Sequence, residues 1–332
     1  MKVTIYDSAE SLPQLPANSH YFHSRELMLL CEQTSDQRPY MAIVTDNNKQ
    51  VVASLLAIER SRRSWFPFYI YRHVRVLGEG NYREETDDAT TDGLQESRNM
   101  LFSMMLDALT RRLAYRTLYM EVSNLSQKMF GYAPLKAAGY FPVRWMNIHN
   151  SLHSRTPEER IMPRQMKRIQ HALQHGVTTK PVENDQEFKA FMRLLRHHHW
   201  LKPRRYVPRK DFFRAMQQQQ RCTLFITQYN GHVIGCSCLV YADGDAYLWY
   251  SASRRKSFAT LHPNAVTYWN TICYAHQAGC RHIRFMDVGL PFRRNIYRDF
   301  ILSFGGKEVS TFRWFRISIS WVNRVASWLW RQ

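Results

Sequence analysis

An acid, a phenol and an imidazole stand at three places where this sequence passes from one regular element to another. Asp287 is the penultimate residue of the apolar run His282–Val288 (HIRFMDV), Tyr297 lies on the short helical stretch that follows, and His262 stands just before Pro263, which opens a longer helix. Side chains of these types accept and hand over protons once their surroundings tune them, so they are the candidate catalytic residues. Each also has a plain structural use. Asp287 can cap the turn after its strand, Tyr297 can fill core, and His262 can cap its helix.

Binding candidates lie in three further segments. Arg196–Tyr206 (RHHHWLKPRRY) is the densest mixture of cations, imidazoles and aromatics in the chain. Lys202, Arg204 and Arg205 are read there as contacts for a phosphate or carboxylate, with Trp200 and Tyr206 as stacking faces and His199 as a further substrate contact. Its three consecutive histidines diverge around a helix, and convergent i, i+4 imidazoles are missing, so no metal is expected. His171 and His175 do have that spacing, but no acid or cysteine stands beside them. Gly78-Glu79-Gly80-Asn81-Tyr82 follows a strand, which makes Glu79 and Tyr82 candidate substrate contacts or members of a plain surface loop. Trp249, Tyr250, Ser251 and Asn264 complete the expected substrate contacts.

The elements that must position these residues come twice. YMAIVTD and VVASLLAIER flank the turn 46–49, a third strand follows in FPFYIYRHVRVL, and Gly78–Asp92 reads as a long loop. Leu94–Leu113 has helical periodicity, Thr117–Val122 is a strand, Gln127–Ala138 a helix and Tyr140–Ile148 a strand. In the second half CTLFITQY and HVIGCSCLVY flank Asn230-Gly231, and DAYLWYSAS follows Asp243-Gly244. A helix over Pro263–Gln277, the strand HIRFMDV, a helix over Asn295–Ser303 and a strand over Glu308–Trp314 repeat the order. Tyr119-Met120-Glu121-Val122 falls opposite Phe285-Met286-Asp287-Val288, each pair of fourth strands closing on an acid before valine. The reading is a first domain over 1–150, a basic helical connector over 151–182, a second domain over 183–314 and an amphipathic helix over 315–332.

Composition narrows the partners. The 332 residues suit two domains, and a formal charge of +19 favours phosphates, nucleic acid or anionic lipid, or else serves solubility as solvated surface. The connector holds Arg160, Arg164, Lys167 and Arg168, a face suited to phosphate or else the solvated side of a linker helix that packs on a domain through Met162, Met166, Ile169 and Leu173. Six cysteines without CxxC spacing predict neither a disulfide framework nor a metal site, and Cys236 and Cys238 alternate onto one buried strand face. The N-terminus lacks the apolar core of a signal peptide and no long apolar span occurs, which predicts a cytoplasmic protein. Near the C-terminus Ile317, Trp321, Val325, Trp328 and Leu329 form one helical stripe, with Arg316, Arg324 and Arg331 elsewhere. That pattern suits contact with the inner face of a membrane, or packing on the second domain or another subunit.

Together these residues resemble a known family. Leu261-His262-Pro263-Asn264, Trp269, Gly279, Phe285-Met286-Asp287, Phe300 and Phe304-Gly305-Gly306 are similar to the C-terminal core of Fem-type peptidoglycan-bridge aminoacyltransferases and related GNAT acyltransferases. Phe22-His23-Ser24 resembles the family's opening element. The resemblance implies an α/β (α+β) fold of two tandem GNAT-like domains, each a mixed twisted sheet flanked by helices. It implies transfer of an acyl or aminoacyl group to an amine of a cell-envelope precursor or lipid. The donor would be a co-substrate, not a tightly bound cofactor: acyl-CoA, acyl carrier protein or aminoacyl-tRNA. By the same likeness Asp287 sits where such clefts open and Tyr297 where a proton donor is placed. The family's lysine and glycine near the last phenylalanines are Ile301 and Ser303 here, and its glycine-rich pyrophosphate loop is replaced by the glycine-free segment Ser251–Asn264. Arg254, Arg255 and Lys256 of that segment would meet donor phosphate by charge. A noncatalytic protein of the same fold, binding RNA or another anionic ligand, is the alternative.

Overall fold

A computed structural model describes the chain except residues 17–19, 64–69, 84–90, 126–129, 201–205, 292–294 and 331–332, and the side chains of residues 63, 91–95, 200 and 287. The chain divides into two compact units, Met1–Trp145 with Thr311–Gln332, and Met146–Ser310.

The first unit contains β1 (Lys2–Tyr6), α1 (Arg25–Glu32), β2 (Gln37–Thr45), β3 (Val51–Arg63), β4 (Ile70–Leu77), the two-residue β5 (Asn81–Tyr82), α2 (Thr91–Leu113), β6 (Tyr119–Ser123) and α3 (Tyr132–Ala137), and the start of β7 (Phe141–Ser151). Strands β1 to β4 pair antiparallel in chain order and β4 pairs parallel with β6. The β2–β3 turn is set by Asp46, whose Oδ1 accepts from the N–H groups of Asn48 and Gln50, each at 2.8 Å. Alternation sends Tyr40, Ala42 and Val44 to one face, where Leu101, Phe102, Met105, Leu106, Leu109 and Leu113 of α2 cover them. Helix α1 starts at Ser24, whose Oγ accepts from Leu27 N–H (3.1 Å), and buries Leu27, Met28, Leu30 and Cys31.

The second unit takes the end of β7, then α4 (Pro157–Arg160), α5 (Pro163–Gln174), β8 (Thr178–Pro181), α6 (Asp185–Trp200), α7 (Lys210–Gln218), β9 (Cys222–Tyr229), β10 (His232–Ala242), β11 (Asp245–Ser253), α8 (Pro263–Gln277), β12 (His282–Gly289), α9 (Ile296–Leu302) and the start of β13 (Lys307–Ile317); α10 (Ser320–Leu329) closes the first unit. Its sheet runs β7-β12-β11-β10-β9-β8, with β11–β12 parallel and the other pairs antiparallel. Both hairpin tips carry positive φ at two successive residues, Asn230-Gly231 (46°, 75°) and Asp243-Gly244 (50°, 75°), which is why asparagine, aspartate and glycine occupy them. Helices cover both faces of the central strands. Ser237 Oγ meets Thr271 Oγ1 of α8 at 2.7 Å, while Cys236 on the opposite face meets the Phe191 carbonyl of α6. At Gly235 a Cβ would stand 2.2 Å from Thr267 Oγ1, so α8 lies as close to β10 as glycine permits.

Three findings differ from the sequence reading. Pro163 splits the basic connector into α4 and α5, and of its apolar residues Ile169 and Met166 pack on the core of the second unit as expected while Met162 and Leu173 are exposed. Residues 146–151 of β7 pair with β12, and residues 313–317 of β13 pair with β6, so each fourth strand is completed by the last strand of the other half of the sequence. The compact units therefore end at 145 and 310, and Ile317 belongs to β13 instead of the C-terminal helix.

A candidate active site in the second unit

β11 and β12 are held together at one end and part at the other. Asp245 at the start of β11 binds His282 (3.0 Å) and Arg284 (2.7 Å) of β12. Parallel pairing then runs from Ala246↔Ile283 to Leu248↔Phe285. Beyond it β11 keeps its partner β10 as far as Ser253, whereas β12 meets β7 at Gly289↔Met146. Trp249–Ser253 and Met286–Gly289 thus border an opening on the strand edges.

A chain of hydroxyls lies in this region. Ser251 Oγ is 2.7 Å from Tyr268 Oη of α8, which is 2.8 Å from Tyr297 Oη of α9. The Tyr268 ring is buried, stacked on Phe285 at 6.1 Å and 3°, with Phe300 edge-on at 5.1 Å. It cannot turn away without repacking the core. Tyr297 is placed by Asn295, the N-cap of α9. Asn295 Oδ1 accepts from Tyr297 N–H (3.0 Å), and its Nδ2 donates to the Val288 carbonyl (2.6 Å). The Phe-Gly-Gly motif braces this helix from behind. The Phe304 carbonyl accepts from Asn150 Nδ2 (2.9 Å), and Gly305, at φ 85°, lies so close to Arg160 that a Cβ would stand 2.5 Å from its carbonyl oxygen.

Of the sequence candidates, Tyr297 and Ser251 belong to the hydroxyl chain and His199 adjoins it, with Nε2 3.2 Å from the Ser251 carbonyl. Asp287 lies on the parted stretch of β12; its side chain lies outside the described part. His262 is the N-cap of α8 at φ 44°, a conformation that histidine tolerates better than most residues, and it makes no side-chain cap bond. Burial, then the charges of Arg168 and His171, lower its pKa and favour the neutral imidazole. Asn264 is half-buried on the first turn of α8, and Arg254, Arg255 and Lys256 are exposed. Trp249 and Tyr250 are 2% and 3% exposed, edge-on to Phe212 and Phe213 of α7, so both are core side chains. Tyr206 is half-buried, while Lys202, Arg204, Arg205 and the Trp200 side chain lie outside the described part. The neighbouring surface of α6 and α7 forms a cavity of about 490 Å³ with Phe188 and Met192 among its lining and Arg193, Arg196, Lys210 and Arg214 around them. Among the described residues no three histidine, cysteine or acidic side chains converge on a metal position. Tyr268 and Asn295 were not legible as site residues. Asn295 carried the signal of a helix cap, Tyr268 none.

The corresponding place in the first unit is closed. β4 and β6 stay paired to Leu77↔Ser123, and Gly78 N–H donates to the Ser123 carbonyl (2.8 Å). Glu121, opposite Asp287 in the repeat, is taken up by Arg75 (3.4 Å), Arg313 (3.3 Å) and Ser123 Oγ (2.7 Å). Glu79 and Tyr82 belong to a loop wrapped on the buried His23. Asn81 Nδ2 donates to the His23 carbonyl (3.2 Å), and Tyr82 Oη donates to the Glu79 carbonyl (2.7 Å).

Known proteins share this fold. Residues 160–294 match the sequence model of a family described as an acetyltransferase (GNAT) domain, which covers most of the second unit. The whole chain is similar in structure to FemX, with a TM-score of 0.62 and 11% identity over 98% of this chain and 100% of that one. It is also similar to the structure of L-PGS from Bacillus licheniformis (TM-score 0.56, 11% identity, 93% and 92% covered). A tandem GNAT protein of the clavulanic acid pathway gives 0.55 at 11% identity, with 96% and 99% covered. No curated protein matches the sequence. At these identities the likeness establishes the fold: two GNAT-like units in tandem, of the Fem type that the sequence resembles.

Proposed function

We propose that the chain transfers an acyl or aminoacyl group from an activated donor to an amine of a cell-envelope precursor or lipid. The observation that carries this reading is the opening between β11 and β12 with the Ser251–Tyr268–Tyr297 hydroxyl chain beside it. A carbonyl bound along the parted edge of β11 receives backbone N–H donors, which stabilise the oxyanion as the amine nitrogen attacks. Collapse of the tetrahedral adduct breaks the bond to the leaving thiolate or ribose oxygen, and Tyr297 hands that atom its proton. Tyr268 and Ser251 connect Tyr297 to further hydroxyl donors. Neutral His262 or Asp287 takes the proton that the amine loses.

Donor phosphate is met by Arg254, Arg255 and Lys256, and by the backbone N–H groups at the start of the fifteen-residue α8. The cationic cavity beside α6 adds a second anion-attracting surface. Acyl-CoA, acyl carrier protein and aminoacyl-tRNA are all anionic and all suit this charge.

The test is to offer each donor with an amine acceptor and to follow amide formation by mass spectrometry. Turnover with one donor, abolished in Tyr297→Phe while donor binding is kept, supports the enzyme. Salt-sensitive donor binding without any amide product supports the alternative binder, which the absence of glycine between Ser251 and Asn264 favours.

A further inference from the structure

Helix α10 turns its apolar side outward. Trp321, Val325, Trp328 and Leu329 recur at the spacing of one helical face and are 70%, 50%, 64% and 66% exposed, and the helix buries no residue. Two hydrogen bonds tie it to the first unit, Asn323 Oδ1 accepting from Ile317 N–H (2.8 Å) and Asn323 Nδ2 donating to the Gly139 carbonyl (3.0 Å), while Val322, Ala326 and Trp330 are half-buried. A helix packed on a core turns its apolar side inward.

The neighbouring loop extends the same patch. Ser318 N–H donates to the Leu118 carbonyl (3.1 Å), and the Ser318 hydroxyl bonds the Thr117 carbonyl. This fixes the α2–β6 connection beside the root of α10, where Tyr115 is 95% and Leu118 39% exposed. The charge there has one sign. Arg116, Lys136, Arg316 and Arg324 lie in stretches 111–118, 131–144 and 311–330, which contain no aspartate or glutamate.

We propose that this face docks on an anionic lipid bilayer, with α10 lying in the interface. Two tryptophans with aliphatic neighbours on one side and arginines around them match the apolar and polar layers of a membrane surface. Ten residues are too short to cross it. Two copies of the chain meeting through this face would bring each arginine cluster against its like, which disfavours a dimer. The inference concerns where the protein binds and stands whether or not the second unit transfers acyl groups.

The full chain is mixed with vesicles of phosphatidylglycerol and phosphatidylcholine, or of phosphatidylcholine alone, and sedimented; brominated acyl chains report tryptophan insertion by quenching. The expected result is binding to the anionic vesicles that weakens with salt, quenching by bromine, and a loss of about tenfold or more in affinity for Trp321→Ser/Trp328→Ser. Arg116→Glu/Arg324→Glu weakens binding in the same direction. Both variants keep the wild-type melting temperature, because the replaced side chains are exposed. Equal binding by the tryptophan variant, equal binding to uncharged vesicles, or a wild-type dimer that the variant dissociates overturns the proposal. Binding is read without turnover, so an inactive chain that binds leaves it standing, and an active chain that does not bind overturns it alone.

Discussion

The Tyr268 hydroxyl stands 2.8 Å from that of Tyr297 and 2.7 Å from that of Ser251, and Tyr297 is carried by a short, capped helix. The two should therefore fail differently. Tyr297→Phe removes the proposed proton donor and is expected to lower kcat by about 10²- to 10⁴-fold at unchanged donor affinity. Tyr268→Phe leaves that donor in place but removes its partner, so a loss of about tenfold in kcat is expected. A buried hydroxyl contact is also lost, at about 1 kcal/mol of stability. Steady-state kinetics with donor binding measured separately checks both; an active Tyr297→Phe enzyme refutes the assignment.

Asn295 joins strand to helix, accepting from Tyr297 N–H and donating to the Val288 carbonyl. Asn295→Ala deletes both links and is expected to cost about 1 kcal/mol in urea unfolding. Asn295→Asp keeps the cap and loses the donor to Val288. If the cap places Tyr297, the alanine variant loses more kcat than the aspartate variant while their KM values stay together.

Much of this arrangement was legible in the sequence, and the remainder has physical reasons for being hidden. Asn230-Gly231 and Asp243-Gly244 marked both hairpins because their backbone angles demand those residue types. β1, β8 and α1 were not read: the first two are five and four residues long, and α1 is only eight. The exchange of β7 and β13 could not be read, since either strand has the pattern to complete either sheet. Trp249 and Tyr250 were expected to meet substrate, but the β10–β11 register shifts between Leu248 and Tyr250, and the two rings stack on each other at 5.7 Å and pack against Phe212 and Phe213 of α7. Tyr268 resembles any core tyrosine on a helix until its hydroxyl partners are known.

Phe304-Gly305-Gly306 carried part of the family resemblance, and its conformation gives the motif a structural cause. Gly305 sits at φ 85° with the Arg160 carbonyl oxygen 2.5 Å from where a Cβ would be. Gly305→Ala is expected to destabilise the fold by about 1–3 kcal/mol, because the strained backbone and the clash with main chain add. Gly279→Ala, at φ 73° with nothing near the added carbon, bears the backbone term alone and should cost less. Melting both variants side by side separates the two contributions.

Arg254, Arg255 and Lys256 offer three exposed cations in a segment without glycine. Replacing all three by alanine is expected to raise the donor KM about tenfold or more at low salt, with kcat held and stability unchanged. The dependence of donor affinity on salt should flatten in the variant. An unchanged KM would move the donor phosphate to the cationic cavity beside α6, and the same measurement on Arg196→Ala/Lys210→Ala decides that.

His23 should make the first unit sensitive to acid. Leu56 N–H donates to its Nδ1 (3.1 Å), the ring bonds the Leu77 carbonyl, and burial, followed by the charge of His20, lowers its pKa from 6.5 to about 3. The folded pKa lies below the unfolded one, so the unfolded chain takes up the proton first as pH falls. The stability tied to this residue is complete above about pH 6.5 and drains away between there and pH 3, on the order of 1.4 kcal/mol per pH unit at most. His73, lowered to about 3 by burial and then Arg60, and His149, lowered to about 4 by burial and then Arg284, act in the same direction. Urea midpoints between pH 7.5 and 4 are expected to fall in the wild type and to fall less steeply in His23→Gln, whose amide oxygen can still accept from Leu56. Parallel slopes for the two proteins would mean that the folded and unfolded chains bind a proton at His23 alike, and would refute its role in the acid sensitivity.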